Sequence, residues 1–578
     1  MKVIGFEEAQ CKNCYKCVRS CAVKAIEVKN GQAQIIDDQC ILCGRCMEVC
    51  PQNAKQFISD LDKVKYYIQH HEHIIASLAP SYLVALDHTH PGQVVAALKK
   101  LGFTQVRETS EAAAYVTEEY AHLLKEGKMK NIITTCCPSA NELVELHHPA
   151  LAPYLAPVLS PMVAHGKMLH EELGDNMRVV FIGPCIAKKR EAEIDSRTSG
   201  YVDAVIDFVE LEAWLKEAGI ELQQCEPERM DNRNPKVNRL YPVSGGILSA
   251  VKAVANTHEY QTIAVHGLED CVAMLESMEK GEVEHCFVEM SACRGSCIEG
   301  PAIAHRKYSR FYKKMKLEHI VPDESEQPKD FPGKPANYFY REFHDRSVTV
   351  PMPTEEEICE ILRKIGKNTV KDELNCSACG YPSCRDKAIA VYQGKAELTM
   401  CMPYMQEQAR SMAKTIMDKS PDAILAVNAD MCIEEFSKAA EEYFCKNRSK
   451  VMHSLLSTVI PDEDFRTVYE SHQNIYGKKV YYPQYELYFL QDIIYMEEQN
   501  SVMGLFQNIT AEEVKKQQQY SIRLETVEMA QNVIDKQMMV AQQIASLLGE
   551  TTAETKVSLT KLRNMILSDQ EELGGSKL

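Results

Sequence analysis

The chain lacks an excess of basic residues: 65 Lys and Arg stand against 82 Asp and Glu, a formal net charge of −17. That balance excludes the basic stripe on which electrostatic nucleic-acid binding depends. The sequence also lacks any run of 18 uncharged apolar residues, so no helical membrane span is expected. The nearest candidate, residues 149–165, is interrupted by Pro149, Pro153, Pro157 and Pro161. The opening MKVIGFEEAQC lacks the apolar core of a secretory leader, which points to the cytoplasm. What remains is ordinary: 45% hydrophobic and 25% charged residues over 578 positions, enough for about three to five globular domains.

Cysteine is the outlier, with 23 residues, most in tight groups. Close C-x2-C spacing in a large chain without a leader reads as metal ligation in a reducing compartment, not as a disulfide framework. Cys11, Cys14, Cys17 and Cys21 recur 29 positions later as Cys40, Cys43, Cys46 and Cys50. The spacing C-x2-C-x2-C-x3-C, twice, is the bacterial ferredoxin pattern for two 4Fe–4S clusters, in which the fourth cysteine of each run serves the other cluster. Cys11, Cys14, Cys17 and Cys50 are therefore assigned to one cluster, and Cys40, Cys43, Cys46 and Cys21 to the other. Pro51 follows Cys50 as usual, while Ala22 replaces the second proline. Zinc would leave the third cysteine of each loop surplus.

Residues 70–305 alternate short apolar runs with helical stretches, an α/β signature. Four runs end in candidate loops: IIASL before Ala79-Pro80-Ser81, NIITT before Cys136-Cys137-Pro138, MRVVFI before Gly183-Pro184-Cys185, and HCFVEM before Cys293 and Cys297. Ligands of open α/β sheets bind beyond the carboxyl ends of the strands, so these loops are expected to face one crevice.

The segments TTCCPSA (134–140), GPCIAKKREAE (183–193) and FVEMSACRGSCIEG (287–300) resemble, in order, the three signature motifs of the FeFe (iron-only) hydrogenase catalytic domain. The resemblance implies that Cys137, Cys185, Cys293 and Cys297 hold a 4Fe–4S cubane and that Cys297 bridges to a binuclear iron site carrying CO, cyanide and a dithiolate amine. Ala79, Pro80, Gly183, Pro184 and Ser291 would line this H-cluster. Lys188 would reach a cyanide ligand, an ammonium that orients and tunes the metal. Cys136 would pass protons, and Glu119, on a predicted helix, would be the first relay carboxylate. The sequence departs from the family at His122 (a second carboxylate), Ala156 (a serine), Gly183 and Ser291 (methionines), Met162 (glutamine) and Ala140 (tryptophan). Departures of this kind resemble the sensory branches of the family.

Cys376, Cys379, Cys384 and Cys401, spaced C-x2-C-x4-C-x16-C, resemble a small 4Fe–4S domain, with a zinc knuckle as the rival. Residues 417–444 and 501–510 resemble the opening and closing of a PAS domain. A helical stripe follows, Leu524, Val527, Ala530, Ile534, Met538, Ala541 and Leu548, which suits a coiled-coil seam. Cys225, Cys271, Cys286, Cys359, Cys432 and Cys445 are read as packing residues, and His453 and His472 as structural or surface histidines.

The expected architecture is thus a multidomain α+β and α/β chain. It comprises a ferredoxin module (1–62), a two-lobed α/β FeFe-hydrogenase domain (63–310), a wrapping linker (311–355), a 4Fe–4S domain (356–410), a PAS-like domain (411–512) and C-terminal coiled-coil-like helices (513–578) for dimerisation or partner docking. The expected activity is interconversion of dihydrogen with protons and electrons, coupled to sensing. A ferredoxin-linked metabolic hydrogenase with an assembly tail, and a non-catalytic hydrogenase-like iron–sulfur protein, are the alternatives. A redox partner such as ferredoxin and a signalling protein are the expected partners.

Overall fold

The computed structural model describes residues 2–70, 72–231, 236–257, 259–303, 308–320, 333–335, 337–545 and 552–568. The acidic PDESE stretch, Leu548 of the helical stripe and the closing GGSKL lie outside them. The chain divides into two compact units, Met1–Met405 and Gln406–Leu578.

In the first unit the two cysteine runs sit in a small two-fold repeat. Strand Ile4–Phe6 pairs antiparallel with Lys55–Phe57, and Ile26–Lys29 forms a hairpin with Gln32–Ile35. The hairpin turns on Asn30-Gly31, both at positive φ (52° and 76°), the pair that matches the strand twist. Short helices Lys16–Ser20 and Arg45–Glu48 carry the middle cysteines.

Two parallel sheets follow. The larger has the order Gln105–Glu108, His73–Leu78, Met177–Gly183, Ala204–Asp207, and the smaller Gln261–His266, Cys286–Ser291, Ile132–Ile133. Strands covered by helices on both faces need continuous apolar runs, and Ile75, Ala76, Leu78, Val179, Val180, Ile182 and Phe287 are buried accordingly. His73–Leu78 and Met177–Gly183 are neighbours whose connections run to opposite sides, a topological switch point where a crevice opens. The chain leaves Cys137 directly into helix Pro138–His147 and leaves Ser160 into helix Pro161–Leu173, each with proline in the first turn. A missing N–H costs nothing there.

The segment 311–355, expected to wrap as a linker, opens instead within a helix, Arg310–Ile320. Its Leu317 is buried, and its buried Lys313 donates to Glu299 at 2.7 Å. The sequence hides this because the inward face is part lysine, neutralised by an ion pair. Further on, an extended strap crosses the α/β core: Leu159 N–H donates to Phe339 O, Arg341 N–H to Pro157 O and Arg346 N–H to Glu145 O. Helices Glu355–Lys364 and Cys384–Tyr392, both with capping boxes, frame the third cysteine group.

The second unit is a five-stranded antiparallel sheet, in the order Ile433–Phe436, Ala423–Val427, Ser501–Asn508, Leu487–Met496, Ile475–Tyr482, over a core containing Phe436, Phe444, Phe465, Phe489 and Phe506. A 36-residue helix, Thr510–Ala545, leaves the last strand. Val527, Gln531, Ile534, Met538 and Ala541 are its half-buried stripe, whereas Leu524 and Ala530 are exposed.

Candidate iron–sulfur and catalytic site

Three of the four loops, those after Ile132–Ile133, Met177–Gly183 and Cys286–Ser291, close around one cavity. Its wall includes Cys136, Cys137, Cys185, Cys293, Cys297, Lys188, Pro184 and Ser291, together with Cys43 of the ferredoxin repeat. Residues from positions 43 to 297 thus meet at one point. Ala79, Pro80 and Gly183 are buried but are not among the wall residues. A Cβ on Gly183 would lie 2.6 Å from the Phe181 ring and 3.1 Å from the Ala79 Cβ, so Phe181 already fills the space a longer side chain would need. Ala140, Ala156 and Met162 are buried.

Burial dominates the wall's electrostatics. It pushes the Cys185 thiol up to about 11, with Cys137 adding to the rise and Lys188 opposing it. Burial pushes Cys136 up to about 12, against the pull of Tyr120 and Lys188. Cys293 and Cys297 are raised as well, each by burial and by its neighbouring cysteines. Enclosed thiols such as Cys185, Cys293 and Cys297, which repel one another as thiolates, need a positively charged group among them to ionise. The Ser296 hydroxyl, also on this wall, is buried with no protein partner among the described residues. This donor set and the orphaned hydroxyl fit an iron–sulfur group and do not suit an empty apolar void.

Lys188 and Lys189 are both buried, not surface lysines. Lys188 Nζ donates to Ser160 Oγ (2.7 Å), Glu191 Oε2 (2.7 Å) and Cys136 O (3.3 Å). Ser160 Oγ donates to the same Glu191 oxygen, and Arg341 Nη1 donates to its other oxygen at 2.7 Å. Lys189 instead holds Asp60 and Ile58 O. Arg190 donates to Cys40 O and Asp37 O, tying the motif helix to the ferredoxin repeat.

Glu119 lies half-buried on helix Ser110–Glu126. Burial raises its pKa, His122 lowers it and Glu118 raises it. No hydrogen bond joins it to Cys136 among the described residues. The next residue, Tyr120, makes that contact: its Oη lies 3.3 Å from Cys136 Sγ and accepts the Thr135 N–H at 2.9 Å. Sequence reasoning missed Tyr120, Glu191 and Arg341. For Tyr120 a signal existed, since it lies on the inward face of the helix when Glu119 does not.

In the ferredoxin repeat Cys21 faces Cys40, Cys43 and Cys46, and burial pushes Cys40 up to about 11 and Cys43 up to about 12. Cys14 faces Cys17. Buried Lys55 reaches Cys17 Sγ at 3.7 Å and donates to Ala33 O, an ammonium placed to stabilise a thiolate. Cys50 Sγ accepts the Ala54 N–H at 3.4 Å, and Cys11 Sγ donates to Asn13 Oδ1 at 3.6 Å. Cys376, Cys379, Cys384 and Cys401 line a second cavity, shared with Lys387 and Tyr381.

The cysteine-walled cavities and the folds that carry them fit an iron–sulfur protein. Residues 72–301 match the family "Iron only hydrogenase large subunit, C-terminal domain", residues 3–56 the "4Fe-4S dicluster domain", residues 372–403 "Putative Fe-S cluster" and residues 411–476 "PAS fold". The chain therefore carries an iron-only hydrogenase large-subunit domain together with 4Fe–4S domains and a PAS fold. It is 24% identical over 375 residues to iron hydrogenase 1 of Clostridium pasteurianum, covering 53% of this chain and 65% of that protein. It is also 24% identical over 362 residues to the NADP-reducing hydrogenase subunit HndD of Solidesulfovibrio fructosivorans, covering 50% of this chain and 62% of that protein. The chain thus spans slightly less than two thirds of each relative. A solved FeFe-hydrogenase variant from Chlamydomonas reinhardtii aligns with a TM-score of 0.40 and 21% identity over 50% of this chain and 100% of that one. Among the described residues no helix is long and apolar enough to cross a membrane.

Proposed function

We propose that the chain is an FeFe hydrogenase that interconverts dihydrogen with protons and electrons and reports the outcome through its PAS domain. The observation that carries this reading is the single cavity shared by Cys136, Cys137, Cys185, Lys188, Cys293 and Cys297. The four thiolates would hold the cubane, Cys297 would share its sulfur with the binuclear iron, and the Lys188 ammonium would donate into the same pocket. When bound, the binuclear centre supplies the Lewis acid and the base that split dihydrogen. The protein's share is to orient that centre, exclude water and move the proton. Cys136 lies on the wall and takes the proton onward, with Tyr120 Oη as its protein contact.

The departures around the pocket support a sensory role over bulk turnover. The Val527–Ala541 stripe, stepping four and three residues, supports pairing of the long helix with a second copy or a signalling partner. Infrared spectroscopy of the matured protein tests the central reading. Bands from iron-bound CO and cyanide, with dihydrogen evolution from a low-potential donor, are expected. A matured chain with full iron and neither signal rejects it.

A further inference from the structure

The third cysteine group docks on the ferredoxin repeat. Val28 N–H donates to Lys395 O at 2.9 Å, and Gly31 N–H to Glu397 Oε2 at 3.2 Å. Arg19 clamps both sides, donating to Ala378 O and to Cys14 O, each at 3.0 Å. The approach is close at Gly380 (φ +96°), where a Cβ would meet Val18 Cγ1 at 2.9 Å and Arg19 N at 3.2 Å. Val18, Tyr381, Ala390 and Met400 share one buried core with Cys17, while Cys21 and Cys379 pack against it.

Two polar groups lie in this seam. Lys24 Nζ donates to Val18 O (3.1 Å) on one side and Gly380 O (2.8 Å) on the other, and its charge faces both Cys21 and Cys379. Tyr381 is 4% exposed, sits in the core against which the same two cysteines pack, and its hydroxyl has no protein partner among the described residues. A buried O–H without an acceptor points to one that the protein itself does not provide, and cluster sulfur is such an acceptor. On the far side of the repeat Cys43, which faces Cys21, stands on the wall of the catalytic cavity beside Cys293.

Resting on the cluster reading above, we propose that the ferredoxin cage of Cys21, Cys40, Cys43 and Cys46 is the hub of the molecule. It exchanges electrons with the third cage across Lys24 and Tyr381, and with the catalytic cavity across Cys43. The transfer is a single electron leaving a reduced cage for an oxidised neighbour, and no bond forms or breaks. A cation and a hydrogen-bond donor beside a cluster favour its reduced, more negative state and so raise its potential. Lys24, shared by two cages, raises both. The third cage therefore joins the chain one cage away from the catalytic cavity, across the cage of Cys21, Cys40, Cys43 and Cys46.

The test is redox titration of the purified, reconstituted chain followed by electron paramagnetic resonance. Lys24→Met lowers the midpoints of the third cage and of the Cys21 cage together, and Lys24→Arg restores them. Tyr381→Phe, which keeps the ring in the core, lowers both with no loss of iron. In the unmutated protein, fully reduced, the signal of the third cage is broadened by magnetic coupling to its neighbour. Full iron and sulfide with unmoved midpoints in both Lys24→Met and Tyr381→Phe, or a magnetically isolated third cage, overturns the hub. Zinc in place of a cubane at Cys376, Cys379, Cys384 and Cys401 overturns the cluster reading of that group, and the hub with it.

Discussion

Lys188 and Glu191 meet at 2.7 Å, one helical turn apart, inside the wall of the catalytic cavity. Glu191 is 1% exposed by side chain and also holds Arg341 at 2.7 Å, so one carboxylate neutralises two cations from distant parts of the chain. Removing one member of a buried ion pair leaves an uncompensated charge and costs about 3–5 kcal/mol. Glu191→Gln is therefore expected to lower the thermal unfolding midpoint of the first unit markedly. Lys188→Met should cost less stability, because Arg341 still neutralises Glu191, yet it should lose the binuclear iron's infrared bands. Equal stability losses in the two variants would contradict this division of roles.

Tyr120 offers a second separation. Its hydroxyl accepts the Thr135 N–H and lies beside Cys136 Sγ. Tyr120→Phe leaves that buried N–H unsatisfied, at about 1–3 kcal/mol, and removes the hydroxyl beside the thiol. Dihydrogen evolution is expected to fall several-fold while the infrared bands keep their positions. Glu119→Gln is expected to change the rate less, since no hydrogen bond joins Glu119 to Cys136 among the described residues. A Glu119→Gln loss as deep as that of Cys136→Ala would restore Glu119 as the first relay group.

The contrast between those two neighbours shows what was legible beforehand. Cysteine spacing carries cluster chemistry in one dimension, and the apolar strand runs end at their loops, so the cavity wall at Cys137, Cys185, Cys293 and Cys297 could be anticipated. Strand His73–Leu78 and strand Cys286–Ser291 also follow from their apolar runs. Their division between two sheets does not, because sheet membership is set by long-range pairing. Buried charge was the least visible. Lys189, Lys313 and Arg341 look like surface residues in sequence, and ion pairs with Asp60, with Glu299, and with Glu191 and Asp195 make their burial possible. Helix Arg310–Ile320 was hidden for that reason.

The strap supplies a pH prediction. Burial of Asp195 raises its pKa, but hydrogen bonds from Arg197 and the charge of Arg341 outweigh it and bring the carboxyl down from 3.8 to about 2. A depressed pKa stabilises the fold above the unfolded value and loses that contribution as pH falls through the folded one. The unmutated chain should therefore exceed Asp195→Asn in stability at pH 6. The gap should stay constant down to about pH 4, near the ordinary aspartate value, and then narrow toward about 2. Denaturant midpoints of both proteins across this range check it. A gap that closes between pH 7 and 5 would assign the effect to another group.

Gly183 and Phe181 make the last prediction, on the packing just before the Pro184–Cys185 part of the wall. If Gly183 merely left space where relatives carry a longer side chain, Gly183→Met would refill it and be tolerated. The backbone says otherwise, because the added Cβ would lie 2.6 and 2.7 Å from the Phe181 ring before the rest of the side chain is built. Overpacking of a filled core costs about 1–3 kcal/mol. Gly183→Met is expected to lower stability and iron retention, and the added substitution Phe181→Ala, which vacates the occupied volume, is expected to recover both. Recovery is the informative arm: backbone strain at position 183 would persist in the double variant, whereas a side-chain clash would not. A single variant as stable as the parent would show that the ring moves aside freely and that Phe181 does not fill the space at position 183.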